Sequence, residues 1–565
     1  MNLVIVPTKS QFTCDDDITL EINFELSKTA GKLPEKYSAS FTVSHFSEEV
    51  LSFQQEITSQ KNTISLPISA EWKTPGSGFG VTCTCAAVEN PAGNILTAHT
   101  AFDIAGTDNR VVRYGFLCDF KPEDSGNLEE SIDFLRRFHI THVQYYDWVY
   151  RHHNYHPPTE SFTDMMGKAI DFNLVKNYIA ACRKSGMASM GYGAIYAASK
   201  TYLDEHPEQG LYDIDGNSFD LIDIFFIMDI SPQSAWSEHI IAQYKYAVTE
   251  VGFDGLHMDT YGYPKRGWRI SGDSGMEPVF QDKEFPAFIN RVHEALPEAQ
   301  LVFNNVGNWP VHTTGPADQD AVYIEVWEPY TTYAHLQNII LNALQHNKPV
   351  VLAAYPAPFK DDPQRAQGSS GALNSAKYLI AAVHSSGATP LLFGEQGSVL
   401  TQAYYNDYSV LKKAELDELV SYQDFTVRYR ELFFDTALED VTATHVLGEN
   451  REYGLQGAPV SFDGQPGTVW TVIRQSEERK VISLINLTSQ KDSLWNEIKT
   501  TSTAVACITI EVPGDQKINR VFYCSPDGEN GEAKDIPFLN VMGVRGPSIQ
   551  FAIHDLKIWG VVCVE

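Results

Sequence analysis

The chain has 565 residues, 43% of them hydrophobic and 12% aromatic, enough for several packed cores and far from the composition of a disordered chain. Its net charge of −30 repels nucleic acid and anionic membrane, so neither is expected as a partner, while a neutral ligand is unaffected. No run reaches the roughly 18 apolar residues of a membrane-crossing helix, and the oligomeric state is not legible.

The opening MNLVIVPTKSQFTC carries Lys9 behind its short apolar run, not a basic region before it. It does not read as a signal peptide, which predicts a cytoplasmic address, or a secreted one if a leader has been removed. Eight cysteines (Cys14, Cys83, Cys85, Cys118, Cys182, Cys507, Cys524 and Cys563) are scattered without a ligand-like cluster, suiting buried reduced thiols better than a zinc site. Residues 1–107 alternate with period two, as in ITLEINFEL and GFGVTCTCAAV, broken by turns such as ENPAGN. That pattern predicts a small Ig-like β-sandwich, with Cys83 and Cys85 on one strand face.

Residues 108–436 change rhythm. Strand candidates VVRYGFLCDF, ITHVQYYDW, MASMGYGAIYA, FDGLHMDTYG, LVFNNVG, AVYIEVWEP, KPVVLAAYP and ATPLLFGE alternate with amphipathic stretches such as NLEESIDFLRRFH and NLVKNYIAACRKSG. Eight strands with intervening helices predict an α/β fold, a (β/α)8 TIM barrel. The competitor, an open doubly wound sheet, usually has fewer strands, and no GxGxxG opens a helix here. From 437 to 565 the β texture returns, in TVWTVIRQSEERKVISLINLT and FAIHDLKIWGVVCV, predicting a C-terminal antiparallel β-sandwich.

In such a barrel, chemistry sits at the carboxyl ends of the strands. Those ends carry Asp119, Asp147 with Trp148, Tyr196, Asp259, Asn304 with Asn305, Glu325 with Trp327 and Glu328, Tyr355, and Glu395. Carboxylates, amides and aromatic rings are the parts of a sugar site: rings stack on the pyranose C–H surface while Asp, Glu and Asn bind hydroxyls. No phosphate-binding glycines or basic rim suggests a nucleotide, and no cofactor is expected. Strand alternation then selects the inward carboxylates. Leu256 and Met258 suit the helix-facing side of FDGLHMD, which turns Gly255, His257 and Asp259 to the axis. Likewise Val322, Ile324 and Val326 face the helices, leaving Tyr323, Glu325 and Trp327 inside. Glu328 lies beyond the strand, where parity weakens, and is the reserve candidate.

Two carboxylates across one pocket are what glycoside hydrolysis requires: one ionised at the anomeric carbon, the other holding a proton for the leaving oxygen. Asp259, beside polar His257, is assigned the ionised role. Glu325, between Tyr323 and Trp327, is assigned the raised pKa. Plainer readings stand beside these: Asp119 as a cap or loop anchor, Asp254 as a turn residue, and His257 as a satisfied core histidine. The run RHHNYH at 151–156 fits no usual ligand spacing, and no metal is expected.

In these segments the chain resembles glycoside hydrolase family 66, the bacterial dextranases and cycloisomaltooligosaccharide glucanotransferases. The segments are RYGFLCDF, HVQYYDWVYRH, FDGLHMDTYG, the Asn pair of FNNVG, YIEVW and PLLFGE. The resemblance implies a retaining mechanism on α-1,6-linked glucan, with Asp259 as nucleophile, Glu325 as acid/base and Asp147 at the cleavage subsite. Asp119, Trp148, Tyr196, His257, Asn304, Asn305, Trp327 and Glu328 complete the candidate substrate contacts. Cyclising members carry a carbohydrate-binding β-domain inserted late in the barrel, and the gap from KPVVLAAYP to ATPLLFGE is too short for one. That departure favours an endo-dextranase, with a cyclising or disproportionating transferase as the alternative and a non-catalytic sugar-binding protein as the second.

Overall fold

The structure, a computed structural model, describes residues 2–25, 34–58, 61–88, 95–106, 111–271, 275–449, 451–514, 517–543 and 545–565. The ENPAGN turn and the boundary drawn after residue 107 lie outside them. At the start, two antiparallel sheets share one core. Asn2–Pro7, Thr19–Glu25 and Asn62–Ser65 form one; Glu48–Thr58, Lys36–His45, Gly78–Ala87 and Leu96–Asp103 form the other. Alternation sorts the faces: along Lys36–His45, Tyr37, Ala39, Phe41 and Val43 are buried and the serines between them are not. Cys83 and Cys85 share a face, their sulfurs 3.7 Å apart.

The centre is a parallel sheet of β1 (Tyr114–Leu117), β2 (His142–Tyr145), β3 (Ala188–Ala194), β4 (Gly255–Asp259), β5 (Gln300–Val306), β6 (Ala321–Glu325) and β7 (Val350–Ala353). Each strand pairs with the next in chain order. The eighth segment is split: β8 (Thr389–Pro390) pairs with β7, and β9 (Phe393–Gly394) pairs with β1, so the parallel pairings run round in a ring. Main crossover helices are α1 (Leu128–Arg137), α2 (Phe172–Lys184), α3 (Ala235–Tyr246), α4 (Gln281–Ala295), α5 (Val311–Thr314), α6 (Tyr333–Leu344) and α7 (Gly371–Ser385). Their starts follow local chemistry: Asp171 accepts the Asn173 and Leu174 amides ahead of α2, and Ser234 caps α3.

Two separate clusters record the strand parity. Leu256, Met258, Leu301, Phe303, Val322 and Ile324 pack outward with the helices. Tyr114, Met190, Val302, Tyr323, Val351 and Ala353 fill the inside. Gly255 is needed where strands crowd, because a Cβ there would lie 2.2 Å from the Gln300 carbonyl oxygen. Asp254 is structural, accepting from Arg183 Nη2 at 2.8 Å and from the Ser189 amide at 2.9 Å.

After the ring, α8 (Lys413–Arg428) leads to two more sheets built from Glu439–Asp440 through Trp559–Val564. Their pairing departs from the purely antiparallel expectation: Val460–Ser461 runs parallel to Val469–Trp470. Trp559 inserts between Phe425 and Phe433, which fastens this end to α8. Asp103, fully buried, pairs with Arg113 at 2.9 Å and Arg430 at 2.8 Å, and these two guanidinium groups hold its carboxyl below the usual range against the cost of burial. Among the described residues no helix is long and apolar enough to cross a membrane.

Candidate functional site

A cavity of about 330 Å³ opens at the carboxyl ends of β2 to β7. Its wall includes Asp147, Tyr192, His257, Asp259, Asn304 and Glu325, with Trp327, Tyr355 and Tyr405 around them. A larger cleft of about 560 Å³ lies at the opposite ends, touching Val112, Val350 and Thr389 where their strands begin. The facing carboxylate pair belongs to the smaller one.

Asp259 ends β4 and Glu325 ends β6, and β5 between them supplies Asn304. The Asn304 Nδ2 amide donates to Asp259 Oδ1 at 2.7 Å and to Glu325 Oε2 at 3.1 Å. Because both bonds start from one nitrogen, these two oxygens lie no more than 5.8 Å from each other, the combined length of the two bonds. Tyr192 OH donates to the second oxygen of Asp259 at 2.6 Å, and Tyr355 OH to that of Glu325 at 2.8 Å. Among the described residues, buried Asn304 Oδ1 has no hydrogen-bond partner.

Burial raises both carboxyls. Asp259 is pushed up to about 7, first by desolvation and then by the charge of Glu325, against the pull of the Tyr192 and Asn304 hydrogen bonds. Glu325 is raised by burial and drawn down by Asn304 and Tyr355. Glu325 is thus raised, as the sequence suggested, and Asp259, which the sequence offered no reason to raise, is raised as well. His257, below Asp259, is held down to about 3 by burial. It is neutral and shares a 3.0 Å hydrogen bond with Tyr114.

Other expected contacts divide. Asp147 lies on the wall with a left-handed backbone (φ 48°), 3.5 Å from His152 Nε2, and Trp327, 44% exposed, stands at the rim. Trp148 is fully buried against Phe253, its indole donating to the Tyr192 carbonyl, so it is a core residue. Tyr196 is likewise buried and off the wall, accepting from the Tyr261 amide at 2.6 Å and donating to the Tyr263 carbonyl. Asn305 points the other way from Asn304, donating to the Phe303 and Tyr323 carbonyls and accepting from Thr314; alternation allows only one of two adjacent strand residues to face the axis. Glu328 is exposed and outside the lining. Asp119 is also off the wall, accepting from Asn406 at 3.1 Å and Tyr408 at 3.0 Å. It thereby anchors the loop that brings Tyr404 and Tyr405 to the cavity.

Sequence reasoning missed Tyr192 and Tyr405. For Tyr192 the signal was available, since it shares the inward parity of Met190 on β3. Tyr405 comes from a loop and carries no such signal. In RHHNYH the histidines diverge: His153 Nδ1 accepts the Ser199 amide, and His156 lies against Tyr246. Among the described residues, the one group of possible metal ligands in mutual reach is Cys118, Asp119 and Glu395. There Glu395, raised to about 8 by burial and by Asp119, accepts from the Cys118 thiol at 3.1 Å.

Paired acids in a tyrosine-rich cavity above a parallel α/β sheet are the parts of a glycoside-cleaving protein. The profile of glycosyl hydrolase family 66 matches residues 7–563, and the chain belongs to that family. A cycloisomaltooligosaccharide glucanotransferase of Niallia circulans is 22% identical over 678 aligned positions, covering 94% of this chain and 68% of that protein. A dextranase of Streptococcus salivarius is 23% identical, over 51% of this chain and 39% of its own length. The crystal structure of a Paenibacillus sp. cycloisomaltooligosaccharide glucanotransferase complexed with cycloisomaltoheptaose superposes with a TM-score of 0.86 at 19% identity, covering 99% of each chain.

Proposed function

We propose that this chain is a (β/α)8-barrel enzyme, flanked by β-units at 1–107 and 437–565, that cleaves α-1,6-glucosidic bonds in dextran or isomalto-oligosaccharides with retention. The observation that carries this reading is the single Asn304 amide bound to both Asp259 and Glu325. Carboxyls about 5 to 5.5 Å apart are the retaining spacing, whereas inversion needs roughly 6.5 to 9.5 Å for an intervening water. Asp259 attacks the anomeric carbon as the glucosidic C–O bond breaks. Glu325 gives its proton to the departing oxygen, then takes one from the water or sugar hydroxyl that releases the glucosyl-Asp259 ester. Tyr192 and Asn304 hold Asp259 for attack, and Tyr355 holds Glu325.

Whether water or sugar takes the glucosyl group divides dextranase from transferase. Between Ala353 of β7 and Thr389 of β8 the chain holds only short helical elements and α7, and the 678 aligned positions against the Niallia circulans glucanotransferase exceed the 565 residues here. That protein thus carries insertions this chain lacks, which favours linear hydrolysis products. The transferase reading draws on the Paenibacillus likeness. Incubation with dextran, isomalto-oligosaccharides, pullulan and starch tests both: linear α-configured products from the first two are expected, cyclic products would make it a transferase, and cleavage of starch alone would overturn the linkage.

A further inference from the structure

One strained turn borders the cavity. Asp220–Leu221 and Phe225–Ile227 pair as a small hairpin, with Leu221 opposite Phe225. Its turn puts Ile222 (φ 55°) and Asp223 (φ 59°) in succession into the left-handed region, and closes with the Ile224 amide donating to the Leu221 carbonyl. Such a turn favours Asn-Gly, because left-handed backbone crowds a Cβ and crowds a β-branched one most. Among the described non-glycine residues with positive φ, Ile222 is the β-branched one.

The turn is nonetheless built to stay. Asp220 Oδ1 accepts the Asp223 amide at 2.8 Å, and the Tyr263 hydroxyl donates to the Asp220 carbonyl. Tyr263 follows β4 by four residues, so the hairpin is tied to the strand that ends in Asp259. Leu221, Ile222 and Phe225 all lie on the cavity wall, yet Ile222 is 57% exposed. The backbone disfavours isoleucine here and packing does not use its side chain, so its place is to be explained by the cavity it faces.

We infer that Ile222 is a substrate-binding contact, the apolar surface on which the C–H face of a glucosyl unit rests at the cavity mouth. This rests on the proposed action on α-glucan. Isoleucine offers broad, non-directional contact to the sugar's apolar face, and the tethered turn fixes it without a loop-ordering cost on binding.

The test titrates isomaltotetraose, maltotetraose and cellotetraose by calorimetry into the Asp259→Asn protein, alone and combined with Ile222→Gly, Ile222→Asn or Ile222→Val. Expected are a Kd at least fivefold weaker with Gly or Asn, a Kd within twofold with Val, and a Tm for Gly and Asn at or above that of the parent. A residue that only shapes the turn gives the opposite order, because Gly and Asn relax the backbone and leave binding unchanged or tighter; that result overturns the inference. So does failure of all three sugars to bind a folded parent. Binding of maltotetraose alone refutes the α-1,6 reading while Ile222 is still judged on maltotetraose.

Discussion

Asp259 and Glu325 are held by one shared donor, the Asn304 amide, at 2.7 and 3.1 Å. A group that touches both acids fixes their separation and their orientation together, and it ties each carboxyl's charge to the other's.

The charge linkage has a direct consequence. Catalysis needs Asp259 ionised, so kcat/KM falls as pH drops through its pKa, near 7 in the free site. Glu325→Gln removes the repulsion that helps raise Asp259. On an aryl α-glucoside whose leaving group needs no acid, the acid limb then moves to lower pH, while hydrolysis of natural glucan drops by about 10² to 10⁴-fold. Initial rates from pH 4 to 9 on both substrates measure this.

Tyr192→Phe shifts the same limb the other way. It deletes the 2.6 Å hydroxyl that favours the Asp259 anion, and a hydrogen bond to a charged group is worth about 1.5 to 3 kcal/mol. The acid limb should rise by about one pH unit or more. An unshifted limb would remove Tyr192 from the description of the nucleophile.

The adjacent asparagines separate function from packing. Asn304→Ala frees both carboxyls and is expected to lower kcat by about 10²-fold with a near-wild-type Tm. Asn305→Ala strands buried Phe303 and Tyr323 carbonyls and the Thr314 hydroxyl, so it should cost about 1 to 3 kcal/mol of stability while kcat stays within a few fold. Thermal unfolding and kinetics on the two proteins decide the matter.

Asp259 also lowers stability at neutral pH. Its folded pKa, about 7, lies above the ordinary 3.8, so the folded state holds the proton more tightly. Its contribution is fully present below pH 3.8 and is lost as pH rises to 7 and beyond. The span corresponds to about 4 kcal/mol. Asp259→Asn should therefore unfold at higher temperature than wild type at pH 8 and near wild type at pH 4, with turnover abolished at both.

Much of this site could be read from alternation. His257, Asp259, Tyr323 and Glu325 face the axis because Leu256, Met258, Val322 and Ile324 must face helices, and the two hydrophobic clusters divide along that parity. The same rule, applied to β5, would have separated Asn304 from Asn305, and applied to β3 would have found Tyr192. Past the strand ends the rule stops: Trp148 follows left-handed Asp147 into the core, Tyr196 turns to hold the Tyr261 loop, and Asp119 anchors residues nearly three hundred positions away. The raised pKa of Asp259 was also out of reach, because it depends on burial and on the charge of Glu325 two strands away, not on neighbours in sequence.

The central claim is that Asp259 forms the bond to sugar. Glu325→Gln protein treated with a ring-fluorinated α-glucosyl fluoride should lose the anomeric fluoride and accumulate the ester, and peptide mass spectrometry should find one fluoroglucosyl mass on the peptide carrying Asp259. A label on Glu325 or on any other residue, or β-configured products from the wild-type enzyme, would contradict it.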